Sequence, residues 1–134
     1  MTSGSGNVRL DQQERVAVIT PFGDVDLEHL ADVTVSFAQV LSDPSTDATL
    51  IDLSEVTFAD STFLNQLLHT FSDHTAAARP LVFTGPLQSA VQRLLHITGT
   101  DMILPLADTA LEGLQRLRAA DPSAARGQEP SAGI

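Results

Sequence analysis

Hydrophobic residues along the chain follow two alternating kinds of spacing. Five short apolar runs, bounded by Pro, Gly or polar residues, have the length and composition of strands. They lie at residues 8–12, 15–21, 49–53, 80–84 and 102–106. The last run contains Pro105, which predicts a short edge strand because proline cannot donate a hydrogen bond to a sheet ladder.

Between these runs, apolar residues recur every three or four positions, which predicts amphipathic helices. The helices are expected at about residues 27–42, 62–75, 87–97 and 108–118. Asp26 and Asp108 occupy N-cap positions, and Gly99 follows the third helix. Strands that alternate with such helices are joined by right-handed crossovers. We therefore expect an α/β fold, with a mixed, mainly parallel sheet of about five strands and about four helices packed against it.

The length of 134 residues suits one domain with one core. Residues 1–6 are rich in Gly and Ser and are predicted to form a disordered N-terminal segment. Residues 120–134 show no periodicity and are predicted to form a flexible C-terminal tail. The folded domain is therefore expected to span residues 7–119.

Composition and charge exclude several classes of function. The net charge is −10 and the basic residues, all Arg, are scattered, so direct binding to nucleic acid or to an anionic membrane surface is not expected. No cysteine is present, which excludes disulfides and thiolate chemistry. No metal-ligand spacing or nucleotide-binding glycine loop occurs, so we expect no cofactor. Without a signal-peptide pattern or a transmembrane run, a cytoplasmic location is expected.

The candidate chemistry lies between the third apolar run and the second helix. Asp60, Ser61 and Thr62 follow one another there, and all three residue types favour a helix N-cap. Spacing alone favours the capping role for Ser61. The alternative is a phosphoacceptor, because free N–H groups and the helix dipole stabilise a phosphoryl group at a helix start. Asp60 could orient the Ser61 hydroxyl or cap the helix, and the sequence does not separate these two roles.

Three motifs resemble those of STAS domains, and within that family the anti-sigma factor antagonists. Residues 52–61 read D-L-S-E-V-T-F-A-D-S, similar to the family run D-L-S-x-V-x-F-x-D-S. Residues 23–26 read G-D-V-D, and residues 96–102 weakly resemble the family pattern after the third helix. The resemblance covers roughly residues 8–118. It departs at Phe63, where the family usually has Gly.

The resemblance implies a phosphorylation switch at this helix start. Ser61 is the expected phosphorylation site, with Thr62 as the alternative. Asp24 and Asp26 are expected to join Asp60, Thr62 and Phe63 in a partner-binding surface. The expected partners are an anti-sigma factor that is also a serine kinase of the ATP-binding histidine-kinase-like type, and a phosphatase. The unphosphorylated chain would bind the anti-sigma factor and free a sigma factor for transcription.

Two other functions stay open on the sequence. Phe63 could turn inward, or it could stand on the surface and block phosphorylation, which would leave a STAS interaction or scaffold module. The third function is a small hydrolase that uses Ser61 as nucleophile. This last function is weakly supported because no G-x-S-x-G elbow surrounds Ser61 and no His is linked to it by a motif. We therefore expect no enzymatic activity and no metal site.

Overall fold

The computed structural model describes residues 3–5 and 7–120. The strands are β1 (Ser3–Ser5), β2 (Val8–Gln13), β3 (Val16–Pro21), β4 (Gly23–Val25), β5 (Ala48–Asp52), β6 (Val56–Ala59), β7 (Leu81–Thr84) and β8 (Leu106–Ala107). The helices are α1 (Ala31–Leu41), α2 (Ser61–Ala76), α3 (Ser89–Ile97) and α4 (Ala110–Ala120). Short 3-10 helices span Leu27–His29 and Thr100–Met102.

Within the described residues, six strands form the main sheet in the order β1-β2-β3-β5-β7-β8, and β4 and β6 form a small second sheet. β1, β2 and β3 pair antiparallel, whereas β3, β5, β7 and β8 pair parallel. The prediction of an α/β fold with a mixed, mainly parallel sheet and about four helices is confirmed over the described residues.

Side chains alternate between the two faces of the sheet, and each face builds its own apolar cluster. Ile51 and Phe83 lie in the larger cluster with residues of α1, α2 and α3. Leu50 and Val82, their neighbours in β5 and β7, lie in the smaller cluster with Leu117 of α4. The central strands are therefore apolar on both faces, which explains why their sequences read as continuous hydrophobic runs.

Gly113 allows α4 to pack closely against the second face. A Cβ atom added at Gly113 would lie 2.4 Å from Cγ2 of Thr84 and 3.2 Å from Cδ1 of Leu50. Any larger residue at this position would push α4 away from the sheet.

Two parts of the sheet differ from the prediction. Residues 3–5, assigned to the disordered segment, form β1 as an antiparallel edge strand beside β2. Backbone N–H and C=O groups at a sheet edge can pair with any extended segment, so β1 needs no hydrophobic pattern. Residues 22–26 lie between the predicted strand at 15–21 and the predicted helix at 27–42 and were not predicted as a strand, but Gly23–Val25 pairs in parallel with β6, which was not predicted as a strand either.

The helix boundaries also differ in places. The first helix begins at Ala31, after the separate 3-10 helix Leu27–His29, instead of at residue 27. The predicted edge strand at 102–106 is shortened to Leu106–Ala107, and Thr100–Met102 is helical. α4 ends at Ala120, so residue 120 belongs to the helix, while the predictions for residues 1, 2, 6 and 121–134 fall outside the described residues.

The cap of α4 is Thr109 and not Asp108. The backbone N–H of Glu112 donates to the Thr109 hydroxyl at 3.1 Å, and the Glu112 carboxylate accepts from the N–H of Asp108 at 3.2 Å. This reciprocal pair of hydrogen bonds between the first turn and the preceding residues is close to a capping box. The Thr-x-x-Glu spacing was present in the sequence.

Candidate functional site

Asp60 begins α2 as its N-cap residue. Its backbone is extended, with φ −115° and ψ −174°, and its Oδ1 accepts from the N–H groups of Thr62 at 3.0 Å and Phe63 at 3.3 Å. Two of the free N–H groups of the first turn are thereby satisfied. The expectation that Ser61 serves as the cap is wrong, because Ser61 is already the first residue of the helix.

The Asp60 carboxylate also makes two further contacts. Its Oδ1 accepts from the Thr62 hydroxyl, and its Oδ2 accepts from the backbone N–H of Leu27 at 3.2 Å. These hydrogen bonds, above all the one from Thr62, lower the pKa of Asp60 because they stabilise the charged form. Of the two roles left open for Asp60, it takes the capping role, and the hydroxyl it holds is that of Thr62.

Ser61 and Thr62 therefore differ although they are neighbours. Ser61 is exposed, and its hydroxyl has no hydrogen-bond partner among the residues that the structure describes. Thr62 is half-buried and its hydroxyl is engaged by Asp60. Of the two hydroxyls, that of Ser61 is the one open to a reagent from outside.

Phe63 packs inward. Its side chain is 1% exposed and belongs to the core cluster between the sheet and helices α1 to α3. The position was included in the partner-binding surface, but the side chain does not reach that surface. An aromatic side chain in this orientation leaves the outer side of the α2 start uncovered, so it does not obstruct access to Ser61.

Asp26 caps the 3-10 helix Leu27–His29, as its N-cap position predicted. Its Oδ1 accepts from the N–H groups of Glu28 at 3.1 Å and His29 at 3.2 Å, and lies 2.7 Å from Nδ1 of His29. The hydrogen bond and the negative charge of Asp26 raise the pKa of the exposed His29 imidazole.

The pairing of β4 with β6 determines where the acidic residues lie. Val25 is the register partner of Ala59, so the residues that follow, Asp26 and Asp60, emerge at the same end of this small sheet. Asp24 is exposed one residue before Val25, and its Oδ1 accepts from the Thr57 hydroxyl at 2.9 Å. The fold thus collects three carboxylates around the start of α2.

Two apolar residues of this region were not predicted as site residues. Leu27 is 69% exposed and Phe58 is 48% exposed. The sequence assigned Leu27 to a helix start and Phe58 to a family motif. No signal in the sequence marked either residue, because exposure is seen only in the folded chain: in β6, Thr57 and Phe58 are both exposed between buried Val56 and Ala59.

Three of the four histidines are hydrogen-bonded to residues other than Ser61. His29 contacts Asp26, His96 contacts Asp101, and buried His74 contacts Thr70 and Thr49 near the other end of α2. Within residues 7–120, none of their hydrogen bonds reaches Ser61, so the contact needed for a Ser–His nucleophile is not formed there.

The part of the chain that the structure describes holds no group of three side chains suited to a metal ion. No helix in that part combines the length and the apolar character that crossing a membrane requires.

Comparisons with solved structures agree with the architecture. An anti-sigma factor antagonist from Mycobacterium paratuberculosis is 26% identical with a TM-score of 0.73, over 83% of this chain and 92% of that chain. The anti-sigma factor antagonist SpoIIAA in its unphosphorylated form is 17% identical with a TM-score of 0.70, over 84% and 96% of the two chains. The Bacillus cell fate determinant SpoIIAA in its phosphorylated form is 16% identical with a TM-score of 0.64, over 83% and 99%.

The more distant of these similarities bear on the fold alone, which is the fold of anti-sigma factor antagonists. A comparison with protein families assigns the chain directly: a family model described as "Mlab, STAS domain" matches residues 8–106, which is more than half of the chain. That range includes the small sheet, the Asp60 cap and the whole of α2. The chain is therefore a member of the STAS domain family.

Proposed function

We propose that this protein is an anti-sigma factor antagonist whose partner binding is switched off by phosphorylation of Ser61. The unmodified chain binds an anti-sigma factor and so releases a sigma factor for transcription. The anti-sigma factor, acting as an ATP-dependent serine kinase, phosphorylates Ser61 and dissociates. A phosphatase then restores the unmodified chain.

One observation carries this proposal: the Ser61 hydroxyl is exposed at the first position of a 16-residue helix while Asp60 engages the neighbouring Thr62 hydroxyl. The exposed Ser61 hydroxyl is the more accessible acceptor for phosphoryl transfer from a partner. Its oxygen would bond to the γ-phosphorus of ATP as ADP leaves, and its proton would pass to a base on the partner. None of the histidine hydrogen bonds within residues 7–120 offers such a base beside Ser61.

The charge of the site supports the effect of the modification. A phosphoryl group adds about −1.5 to −2 charge at pH 7. It would stand next to Asp60 and near Asp26, at a helix start where two N–H groups are already taken by the Asp60 carboxylate. The added charge and its hydration would therefore oppose the docking of a surface that fits the unmodified site.

The burial of Phe63 favours this switch over the scaffold alternative. That alternative depends on Phe63 standing in the way of the kinase, and the side chain is 1% exposed. Two solved SpoIIAA structures with this fold represent an unphosphorylated and a phosphorylated form, which supports a modification of the same kind here.

The test is phosphate mapping on the protein isolated from its native cells. Cleavage before aspartate releases residues 60–72, which hold both candidate hydroxyls. We expect phosphate on Ser61, its loss in Ser61→Ala and its retention in the matched variant Thr62→Val. Phosphate found on Thr62 alone would reject Ser61 as the phosphorylation site and assign the modification to Thr62. The absence of phosphate under every growth condition would reject the switch and favour the scaffold module.

A further inference from the structure

Two large apolar side chains flank the start of α2 without being covered by the rest of the domain. Leu27 is 69% exposed, and its backbone N–H donates to the Asp60 carboxylate at 3.2 Å. Phe58 is 48% exposed and lies two residues before Asp60, within about 7 Å along the chain. A single exposed apolar residue needs no explanation, but two beside one candidate modification site form a surface suited to burial.

The charges around these two residues are negative. Asp24 is the register partner of Phe58, and Asp26 and Glu28 stand on either side of Leu27. Asp24 and Glu28 are exposed, and the imidazole of His29 is held by Asp26. An apolar surface with this acidic border is complementary to a surface that combines apolar groups with Arg or Lys side chains.

We propose that Leu27 and Phe58 are the apolar anchors of the docking surface, and that its occupant is a basic protein surface carrying apolar groups between Arg or Lys residues. Buried aromatic and aliphatic anchors supply most of the binding energy of an interface, while bordering charges determine orientation and rate of association. An anionic membrane does not fit, since the border would repel its headgroups. The inference rests on the proposed function for the identity of the partner as an anti-sigma factor.

Phosphorylation of Ser61 would disturb the surface formed by Leu27 and Phe58. Ser61 follows Asp60, the residue to which Leu27 is hydrogen-bonded and which Phe58 precedes by two positions. A phosphoryl group there would bring a hydrated dianion to the edge of a surface that has to become dry on binding. The apolar anchors and the Ser61 hydroxyl would therefore belong to the same interface.

The experiment places the photo-cross-linker benzoylphenylalanine at position 27, 58 or 111 of the full chain in its native cells. Leu111 on α4 is the matched control, since it is 66% exposed and lies on the other side of the sheet. We expect positions 27 and 58 to cross-link to the same protein, at peptides rich in Arg or Lys, and position 111 not to. All three replacements are at exposed sites, and equal unfolding midpoints would verify that the fold is kept.

The cross-linked protein is then purified for binding measurements. Leu27→Ala and Phe58→Ala should each weaken the Kd by roughly ten- to a hundredfold, and Leu111→Ala should leave it unchanged. Raising the salt concentration should weaken binding further because the bordering charges are screened. A cross-link from position 27 or 58 to a lipid or to an acidic peptide would overturn the inference. So would the absence of any cross-link from these two positions, or an equally strong cross-link from position 111.

The outcomes separate this inference from the switch. Cross-links from positions 27 and 58 to a basic protein, together with no phosphate on Ser61 under any growth condition, would keep the anchors and reject the switch. Phosphate on Ser61 under one growth condition, with no such cross-links under a condition in which Ser61 is unmodified, would keep the switch and reject the anchors.

Discussion

The two ends of α2 carry polar residues in opposite circumstances. At the amino end, Ser61 is exposed and its hydroxyl is free of partners among the described residues. Near the carboxyl end, about 20 Å from Ser61 along the helix axis, His74 is 1% exposed and both of its ring nitrogens are hydrogen-bonded. The amino end thus exposes a hydroxyl to solvent, whereas the carboxyl end uses a buried imidazole to attach the helix to the sheet.

The carboxyl end is a connected network. Nδ1 of His74 lies 2.7 Å from the carbonyl oxygen of Thr70, which can only accept, so Nδ1 carries the proton. Nε2 then accepts from the Thr49 hydroxyl at 2.9 Å, and the Thr49 oxygen accepts from Nε of Arg79 at 3.0 Å. Arg79 also donates to Thr46, through the carbonyl at 2.8 Å and the hydroxyl at 2.6 Å.

Burial and hydrogen-bond satisfaction, rather than residue type, distinguish a structural polar group from a candidate functional one. Thr49 is completely buried, and it both donates and accepts within the network. Ser61 has the same hydroxyl chemistry and an open position. Buried polar groups that are fully paired rigidify a fold, whereas an exposed hydroxyl can change its chemistry without unfolding the domain.

The largest expected effect distinguishes the two phenylalanines near the amino end. Phe63→Ala should lower the free energy of unfolding by about 3–5 kcal/mol, because it leaves a cavity in the core. Phe58→Ala is the matched control at 48% exposure and should cost roughly 1 kcal/mol. Urea denaturation measures both values. Equal losses for the two variants would contradict the inward orientation of Phe63.

The next effect tests the network at the carboxyl end. Arg79→Ala should cost roughly 2–4 kcal/mol, because it removes the donors to Thr46 and Thr49 and leaves buried acceptors unpaired. Arg15→Ala is the control: Arg15 is 59% exposed in its ion pair with Asp47, and its loss should cost less than about 1 kcal/mol. If Arg79→Ala were no less stable than Arg15→Ala, the hydrogen bonds of Arg79 would not stabilise the carboxyl end of α2.

A smaller effect separates the cap from the candidate phosphoacceptor. Asp60→Ala should cost about 0.5–2 kcal/mol, because the N–H groups of Thr62 and Phe63 lose their acceptor. Ser61→Ala should change stability by no more than about 0.5 kcal/mol, since it is an exposed first-turn position. Thermal unfolding of both variants checks this order. A strong loss in Ser61→Ala would indicate a structural role for the Ser61 hydroxyl.

The last prediction concerns two imidazoles that shift in opposite directions. Burial lowers the pKa of His74, and the nearby positive charge of Arg79 lowers it further, whereas Asp26 raises the pKa of His29. An NMR titration of the ring protons should place His74 below and His29 above the ordinary value near 6.5. Parallel titration of the two rings would contradict the difference between the ends.

The sign of the associated stability change follows from proton linkage. The unfolded chain protonates His74 at its ordinary pKa, above the pKa in the folded state. Between these two values the unfolded state binds more protons, so the contribution of His74 is present above about pH 6.5 and is lost as the pH falls through the folded pKa. The raised pKa of His29 acts in the opposite sense, with its contribution lost as the pH rises.

Much of the fold could be predicted from the sequence. The second helix was expected at 62–75 and spans Ser61–Ala76, because its apolar spacing and its capping residues are local signals. β3, β5 and β7 were predicted from their apolar runs. The pair β4 and β6 was missed because three or four residues without alternation give no local signal, and their pairing depends on the surrounding structure.

The candidate site was predicted in part. Its sequence neighbours were identified, but Asp60 had two possible roles and Phe63 two possible orientations. Leu27 and Phe58 were not identified at all, since exposure of an apolar residue is a property of packing and not of composition.

The sequence by itself determined the alternation of strands and helices and the presence of two adjacent hydroxyls after an aspartate. Periodicity and capping act over a few residues, so they can be read locally. Only the tertiary structure decided that Asp60 holds Thr62 and leaves Ser61 exposed, that Phe63 fills the core, and that Leu27 comes to the start of α2. These choices depend on which of several equivalent partners lies within hydrogen-bond or packing distance, and only the folded chain determines those distances.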